Sequence, residues 1–505
     1  MRTLNSVKNL ASSLGVTMLM TLLGFVTRKI FVDEVGVEYL GLNGLLQNVL
    51  GIMTLLEGGF AGSVVYNLYK PVAEDDRPKI LALLQLYRRI YIYIAIGVVI
   101  FGLLLYPFID VIIKDADDLD YVSIVYFIFL FNSIVGYFTA YKWSLINVSQ
   151  QNYKLTIVNL VYQVGLNLSK LAILYYTQNY IAYLVVESFF GVGLNWAIVK
   201  KADHLFPYIK TKQKYVLDKA TKTNIATNMK ALFLNKLGGF FMHGTDNIII
   251  SAFVGVATIG LYSNYTLIVG TVRSVAGQAL NSFSESVGNL IATESSDKVY
   301  DVFKVTFLVN FLVASIPVVV LHNILTPFVR WWLGEQYAIG YPVLCVVLAN
   351  FYIDLMRETV MMYKNKAGIF VNDRFTPLMQ GCINLVLSYL LVQVWGLFGV
   401  LIATTISLLS IAFWQMPRLC YKYIFVKPLL SYFKQYAIYS LMMVSCVVIS
   451  YSLCSWCESE ILFVNIVVDV LVSLLVIGCF YYLCLHKSAE FLVLLNYVNI
   501  IRKKR

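Results

Sequence analysis

Apolar runs long enough to cross a bilayer, about 20 residues each, alternate with short polar connections along the whole chain. They fall near residues 10–32, 42–69, 91–113, 121–141, 155–176, 181–199, 230–254, 261–291, 303–326, 338–362, 376–394, 397–415, 435–454 and 461–485. The pattern predicts an all-α polytopic membrane protein with about fourteen transmembrane helices. The narrowest separation, between the eleventh and twelfth, is marked only by Trp395-Gly396, a turn signal.

A shift of 219 positions without a gap lays Val35-Gly36-Val37 on Val254-Gly255-Val256, Gly41-Leu42 on Gly260-Leu261, and Lys79 on Lys298; Asn5 and Asn9 fall on Asn224 and Asn228. This reads as a duplicated bundle. The expected organisation is an N-terminal six-helix lobe over 1–199, a basic linker over 200–229, a C-terminal six-helix lobe over 230–416, and two peripheral helices with a basic tail over 417–505. An even number of helices per lobe makes the repeat parallel, so the two lobes are pseudo-symmetric about an axis along the membrane normal.

Charge fixes the expected orientation. Most of the 39 lysines and arginines sit in alternate connections, such as Lys70 to Arg89, the lysine-rich stretch from Lys200 to Lys230, and the Arg502 to Arg505 tail. The opposite connections hold only Lys114 and Arg330 and are acidic instead, as at Asp33-Glu34 and from Asp115 to Asp120. The positive-inside rule then places both termini in the cytoplasm. The N-terminal MRTLNSVKNL enters its apolar run without a small-residue cleavage site, so the first helix is expected to be retained.

Composition agrees with a membrane protein: 59% of residues are hydrophobic and 13% charged, with mean hydropathy +0.74, against roughly 25% charged in soluble domains. The net charge of +11 is spread through short loops, which argues against a nucleic-acid partner. Most of the eight cysteines lie in apolar segments, where a thiol acts as a small hydrophobe; Cys454 and Cys457 are read as incidental. No metal-ligand cluster, P-loop or nucleophile motif stands out. The outward connections are too short for a lid or catalytic domain, so the chain is not expected to be an enzyme.

Six cations fall at membrane depth: Arg28, Lys29, Lys170, Lys236, Arg273 and Arg357. A charge there costs a few kcal/mol or more unless it is paired or faces water. Arg28 shares its helical face with Gly24, Thr21 and Thr17, while Lys29 is read as snorkelling to the interface. Lys170 follows Asn159, Gln163 and Asn167, and Lys236 lies on a stripe with Gly239, His243, Asn247 and Asp246. Arg273 shares a face with Thr266, Gly270, Gly277, Asn281 and Ser284.

For Asp354 and Arg357 two readings stand, an ion pair that holds the tenth helix or part of the polar pathway. The other faces are expected to line one aqueous cavity between the lobes, cationic through Arg28, Lys170, Lys236 and Arg273. Arginine offers phosphate two parallel donors, so the expected cargo is anionic. Glu285 is read as a counter-ion, whereas Glu57 and Asp246 are either counter-ions or coupling sites for Na+ or H+; no other cofactor is expected. His243 is read as a packed ring in preference to a proton relay.

The segment VGVEYLGLNGLLQNVLGIMTLLEGGFAGSVVYNLYKPVAEDDRPKI, the VKNLASSLG run, and two six-helix lobes with two further helices resemble bacterial oligosaccharide flippases of the Wzx type. These share a superfamily, MOP, with the MATE multidrug antiporters and the lipid II flippase. The resemblance implies transfer of undecaprenyl-diphosphate-linked oligosaccharide repeat units across the bacterial inner membrane by rocking lobes, for polysaccharides such as O-antigen. It also implies membrane lipids and polysaccharide polymerase and chain-length machinery as partners; a monomer is expected. Cavity arginines on helices one, two and eight accompany the diphosphate in the lipid II relative. Here Arg28 and Arg273 fall on helices one and eight, whereas helix two carries Glu57 instead, which leaves Lys236 or Lys170 as the third contact. A MATE-type drug antiporter and a polytopic glycan polymerase are the alternatives: the first would call for an acidic or aromatic cavity, the second for a large catalytic outer loop.

Overall fold

The computed structural model of the chain describes residues 20–503 apart from 53, 58, 59, 114–120, 150, 212, 282, 370, 374 and 458. Asn5 and Asn9 of the repeat, the start of the first span, Gly58 and Gly59, and the acidic run from Asp115 to Asp120 lie outside the described residues. So do the side chains of His243 and Glu285.

All regular structure among the described residues is helical. Helix α1 covers 20–34, followed by α2 (Val37–Gly51), α3 (Thr54–Glu57), α4 (Phe60–Ala73), α5 (Arg77–Leu105) and α6 (Ile109–Ile112). Next come α7 (Val122–Val135), α8 (Ala140–Val148), α9 (Thr156–Thr177), α10 (Tyr180–Leu205), α11 (Lys219–His243), α12 (Asp246–Phe253), α13 (Val256–Asn281) and α14 (Ser284–Thr293). The chain ends with α15 (Ser296–Trp332), α16 (Tyr341–Lys366), α17 (Thr376–Leu409), α18 (Ala412–Cys420), α19 (Leu430–Cys454), α20 (Leu462–Leu485) and α21 (Ala489–Lys503).

Grouped at their short breaks, these helices follow the fourteen expected segments. Among the described residues, seven are long and apolar enough to span on composition alone, and α7 with α8, bent by 48°, form an eighth. The helices that miss this test include α11, α13 and α16, which carry Lys236, Arg273, Asp354 and Arg357. Large apolar side chains such as Leu104, Val111, Phe189, Leu441 and Leu475 are more than half exposed, the surface that lipid covers in a membrane.

Three local features depart from the expected pattern. The second span begins earlier than expected, at Val37, with its described helical residues in α2, α3 and α4. The seventh breaks at Gly244-Thr245, so Lys236 on α11 and Asp246 on α12 do not share one continuous stripe. The C-terminal tail forms α21. At the expected turn, Gly396 takes φ 55° and ψ −133° inside α17. A Cβ on Gly399 would meet the Leu391 carbonyl oxygen at 2.2 Å, as befits a tight helical reversal.

By internal contacts the chain divides into two compact units, Met1–Gly260 and Leu261–Arg505. In the first, the duplicated segments have matching backbones. Gly36 and Gly255 occupy equivalent repeat positions, and both take the positive φ that glycine adopts without strain, 104° and 131°. The helices they introduce then cross reciprocally: a Cβ on Gly41 would lie 2.0 Å from the Val256 carbonyl oxygen, and one on Gly260 would lie 2.1 Å from that of Val37. Backbones approach this closely only where side chains are absent.

In the second unit, α15 is the central helix, and α16, α19 and α20 pack on it. Phe311 stacks on Tyr439 at 4.5 Å. Buried Asn323 donates to Ser450 Oγ at 3.0 Å and Ser473 Oγ at 2.9 Å, tying α15 to α19 and α20 through polar bonds. At the start of α15, Ser296 donates to the carbonyls of Ile424 and Phe425, and Lys427 lies 2.7 Å from Asp297, holding that carboxyl below its usual range.

Residues 200–229, expected as the linker, contain the end of α10, a short 3-10 turn at Pro207–Lys210 and the start of α11. Asp218 caps α11 by accepting from Thr221 N at 2.8 Å and Thr221 Oγ at 2.7 Å, a standard way to satisfy the first free amides.

Candidate functional site

Three polar clusters gather the candidate residues, two in the first unit and one in the second. The first cluster is built on α1, α9 and α10. Arg28 lies on α1 one turn before Phe31, whose ring is 5.2 Å from that of Tyr183 on α10. Lys170 sits over the same Tyr183 ring at 4.4 Å and pairs with Glu187 at 2.7 Å. Lys170 thus covers the tyrosine against which Phe31, one turn from Arg28, packs.

Glu187 was not singled out from sequence, though a signal existed. The α9–α10 hairpin turns between Thr177 and Tyr180, and Lys170 and Glu187 each lie seven residues from it. In an antiparallel hairpin that puts them level with each other. Outside this cluster, Lys29 pairs with Asp33 at 2.9 Å on an exposed face. Lys236 is exposed and has no ion-pair partner among the described residues.

The second cluster surrounds Glu57. Its carboxylate accepts a short hydrogen bond from Tyr91 Oη; Tyr91 lies 3.1 Å from Tyr87 Oη, which receives a bond from Ser144 Oγ at 3.3 Å. The ring of Tyr137 lies 5.5 Å from that of Tyr91. A carboxylate among tyrosines is held by donation from neutral groups instead of by a cation. Removing the donor leaves a charge short of a partner, so Tyr91→Phe is expected to destabilise the protein by about 1.5 kcal/mol or more. Glu57→Gln, whose amide oxygen can still accept, costs less; thermal unfolding of the two variants in detergent checks the order.

The third cluster lies on α13, α16 and α17. The Arg273 guanidinium makes a short contact with Asp354 and lies 3.8 Å from Glu358. Arg357 reaches Asp354 at 3.0 Å and the Gln380 side-chain oxygen at 3.4 Å. Asp354 and Glu358 are four residues apart and share a helix face. The Asp354–Arg357 pair is present, and it also carries Arg273, a link across 81 residues that spacing could not reveal. Arg273 therefore takes its described counter-ions from α16. Asp246 opens α12 as its first residue.

Chemically, the first and third clusters are alike. Each holds a cation through carboxylates that an incoming anion could replace, Lys170 through Glu187 and Arg273 through Asp354 and Glu358. Among the described residues no group of three metal ligands is found.

No family model matches the sequence, and no curated protein does. Among solved structures, the lipid II flippase MurJ in an inward closed conformation aligns with 92% of this chain and 98% of its own, at TM-score 0.64 and 14% identity. An inward-facing multidrug resistance MATE family transporter of the MOP superfamily aligns with 79% of this chain and 94% of its own, at TM-score 0.57 and 14% identity. A MOP superfamily transporter from Pyrococcus furiosus, described by the reversed polarity of its binding pocket, covers 80% and 93% at TM-score 0.53 and 15% identity. What this chain shares with them, over most of its length, is their fold.

Proposed function

We propose that this chain flips undecaprenyl-diphosphate-linked oligosaccharide repeat units from the cytoplasmic to the outer leaflet of a bacterial inner membrane, supplying surface polysaccharide synthesis. The observation that carries this reading is that membrane-depth cations are held by displaceable carboxylates, Lys170 by Glu187 in the first unit and Arg273 by Asp354 and Glu358 in the second. Within either unit a phosphate offers the cations bidentate acceptors and competes with the carboxylates that hold them, Glu187 in the first and Asp354 and Glu358 in the second. The sugars pass along the polar helix faces while the polyprenyl tail stays in lipid. Glu57 or Asp246 serves as the site where Na+ or H+ couples to transport. The fold's likeness to a lipid II flippase over 92% of the chain supports the reading.

A second reading, an ion-coupled drug antiporter, is favoured by the tyrosine-lined carboxylate of Glu57, which suits an organic cation. One experiment separates the two. The purified protein is expected to gain thermal stability from an undecaprenyl-diphosphate oligosaccharide and none from the same lipid-linked sugar without its phosphates. Stabilisation by organic cations such as ethidium, with none from the diphosphate lipid, would favour the antiporter.

A further inference from the structure

The second unit holds a cavity that the clusters above do not use. It is a half-open cavity of about 700 Å3 lined by the end of α15, the start of α16, the end of α19 and the start of α20. Sites for small organic ligands span roughly 300–1,000 Å3. Two connections flank it, 333–340 and 455–461, and neither contains a lysine or arginine.

The wall is aromatic and fixed. The His322 ring lies 5.7 Å from Tyr341 and 5.5 Å from Tyr451, and the two tyrosines are 55% and 52% exposed. Buried Asn323 spends its amide protons on Ser450 and Ser473, so its oxygen accepts from His322 Nδ1 at 3.1 Å. His322 Nε2 is then left to accept from Tyr341 Oη at 3.0 Å. This chain of bonds holds the rings in place before any ligand arrives.

The charged groups narrow the ligand class. Arg330 and Glu335 neutralise each other at 3.0 Å, and Asp469 adds a carboxylate, while Asn465 is tied at both ends of its amide to the Ser459 backbone. An organic cation would meet a guanidinium, and a phosphate would meet two carboxylates. A neutral polyhydroxylated ligand uses both, because each sugar hydroxyl donates and accepts while the ring C–H face stacks on tyrosine. We infer that this cavity is a carbohydrate-binding site, with Tyr451 and Tyr341 as stacking platforms and Asp469, Glu335 and Arg330 as hydroxyl partners. It is separate from the Arg273 cluster: Tyr341 and Asp354 are thirteen residues apart on α16, about 20 Å along the axis. It holds whether or not the arginines take a diphosphate.

The test uses the full chain in lipid nanodiscs, with maltotriose and triacetylchitotriose as soluble probes and choline and inorganic pyrophosphate as comparisons. Saturation-transfer NMR is expected to show millimolar binding of at least one trisaccharide through its ring protons. Tyr451→Leu and Asp469→Asn each weaken that binding roughly tenfold, and Tyr451→Phe retains it. Absence of sugar binding to the unaltered protein, binding of choline or pyrophosphate alone, or undiminished binding in both Tyr451→Leu and Asp469→Asn would overturn the assignment. Because the probes carry no lipid or diphosphate, a failed transport reading leaves this result unaffected.

Discussion

Arg28→Ala is expected to abolish transfer of lipid-linked oligosaccharide while the protein still reaches the membrane. The residue lies at membrane depth on α1, where a cation costs a few kcal/mol or more without a partner or water, one turn before Phe31, which packs on the Tyr183 ring that Lys170 covers. Such a group adds little to folding that an apolar side chain could not supply, so its loss should fall on binding of the anionic cargo. Arg28→Lys keeps the charge but loses the two parallel donors, and an intermediate rate, reduced by roughly tenfold, is expected. Lys29→Ala is the control. Its ammonium is exposed and paired with Asp33, an arrangement worth about 0–1 kcal/mol, so transfer should stay near the normal rate.

The second large effect concerns the helix crossing in the first unit. Gly41→Ala places a methyl group against the Val256 carbonyl, and Gly260→Ala does the same against Val37. Neither obstacle is a side chain that can swing away, so the two helices must separate. Overpacking of this kind typically costs about 1–3 kcal/mol. Because the contacts are reciprocal, the two variants should lose similar stability. One separation relieves both clashes, so the double variant should lose less than the sum, a departure from additivity expected of coupled neighbours. Gly239→Ala, which meets nothing within 4 Å, should be near neutral. Thermal unfolding of the four proteins in one detergent reads the pattern, and additive losses would mean the contacts are independent.

The helices were legible because apolar runs and basic connections report the bilayer directly, down to the turn at Gly396. At the two segments that the 219-residue shift aligns, Gly36 and Gly255 adopt the same left-handed backbone, and Gly41 and Gly260 meet each other's helix. Site chemistry was legible only in part. Lys170 stood out as a charge in an apolar run, and its partner Glu187 could have been read from the hairpin's symmetry. Arg273 stood out too, but its pairing with Asp354 depends on the packing of α13 against α16 within the folded unit, which local spacing does not encode. The same holds for Glu57, whose neighbour Tyr91 is one of 36 tyrosines in the chain. His322 and Asn323 drew no notice because isolated polar residues in an apolar run gain meaning only when Ser450, Ser473 and Tyr341 are brought beside them.

The central claim is tested most directly by reconstituting the protein in sealed vesicles with a defined undecaprenyl-diphosphate oligosaccharide and measuring its transfer between leaflets, with and without an ion gradient. The account predicts transfer by the unaltered protein and none by the Arg28→Ala, Arg273→Ala double variant incorporated to the same level. Equal transfer by the two proteins, or no transfer by the unaltered protein under either condition, would contradict it.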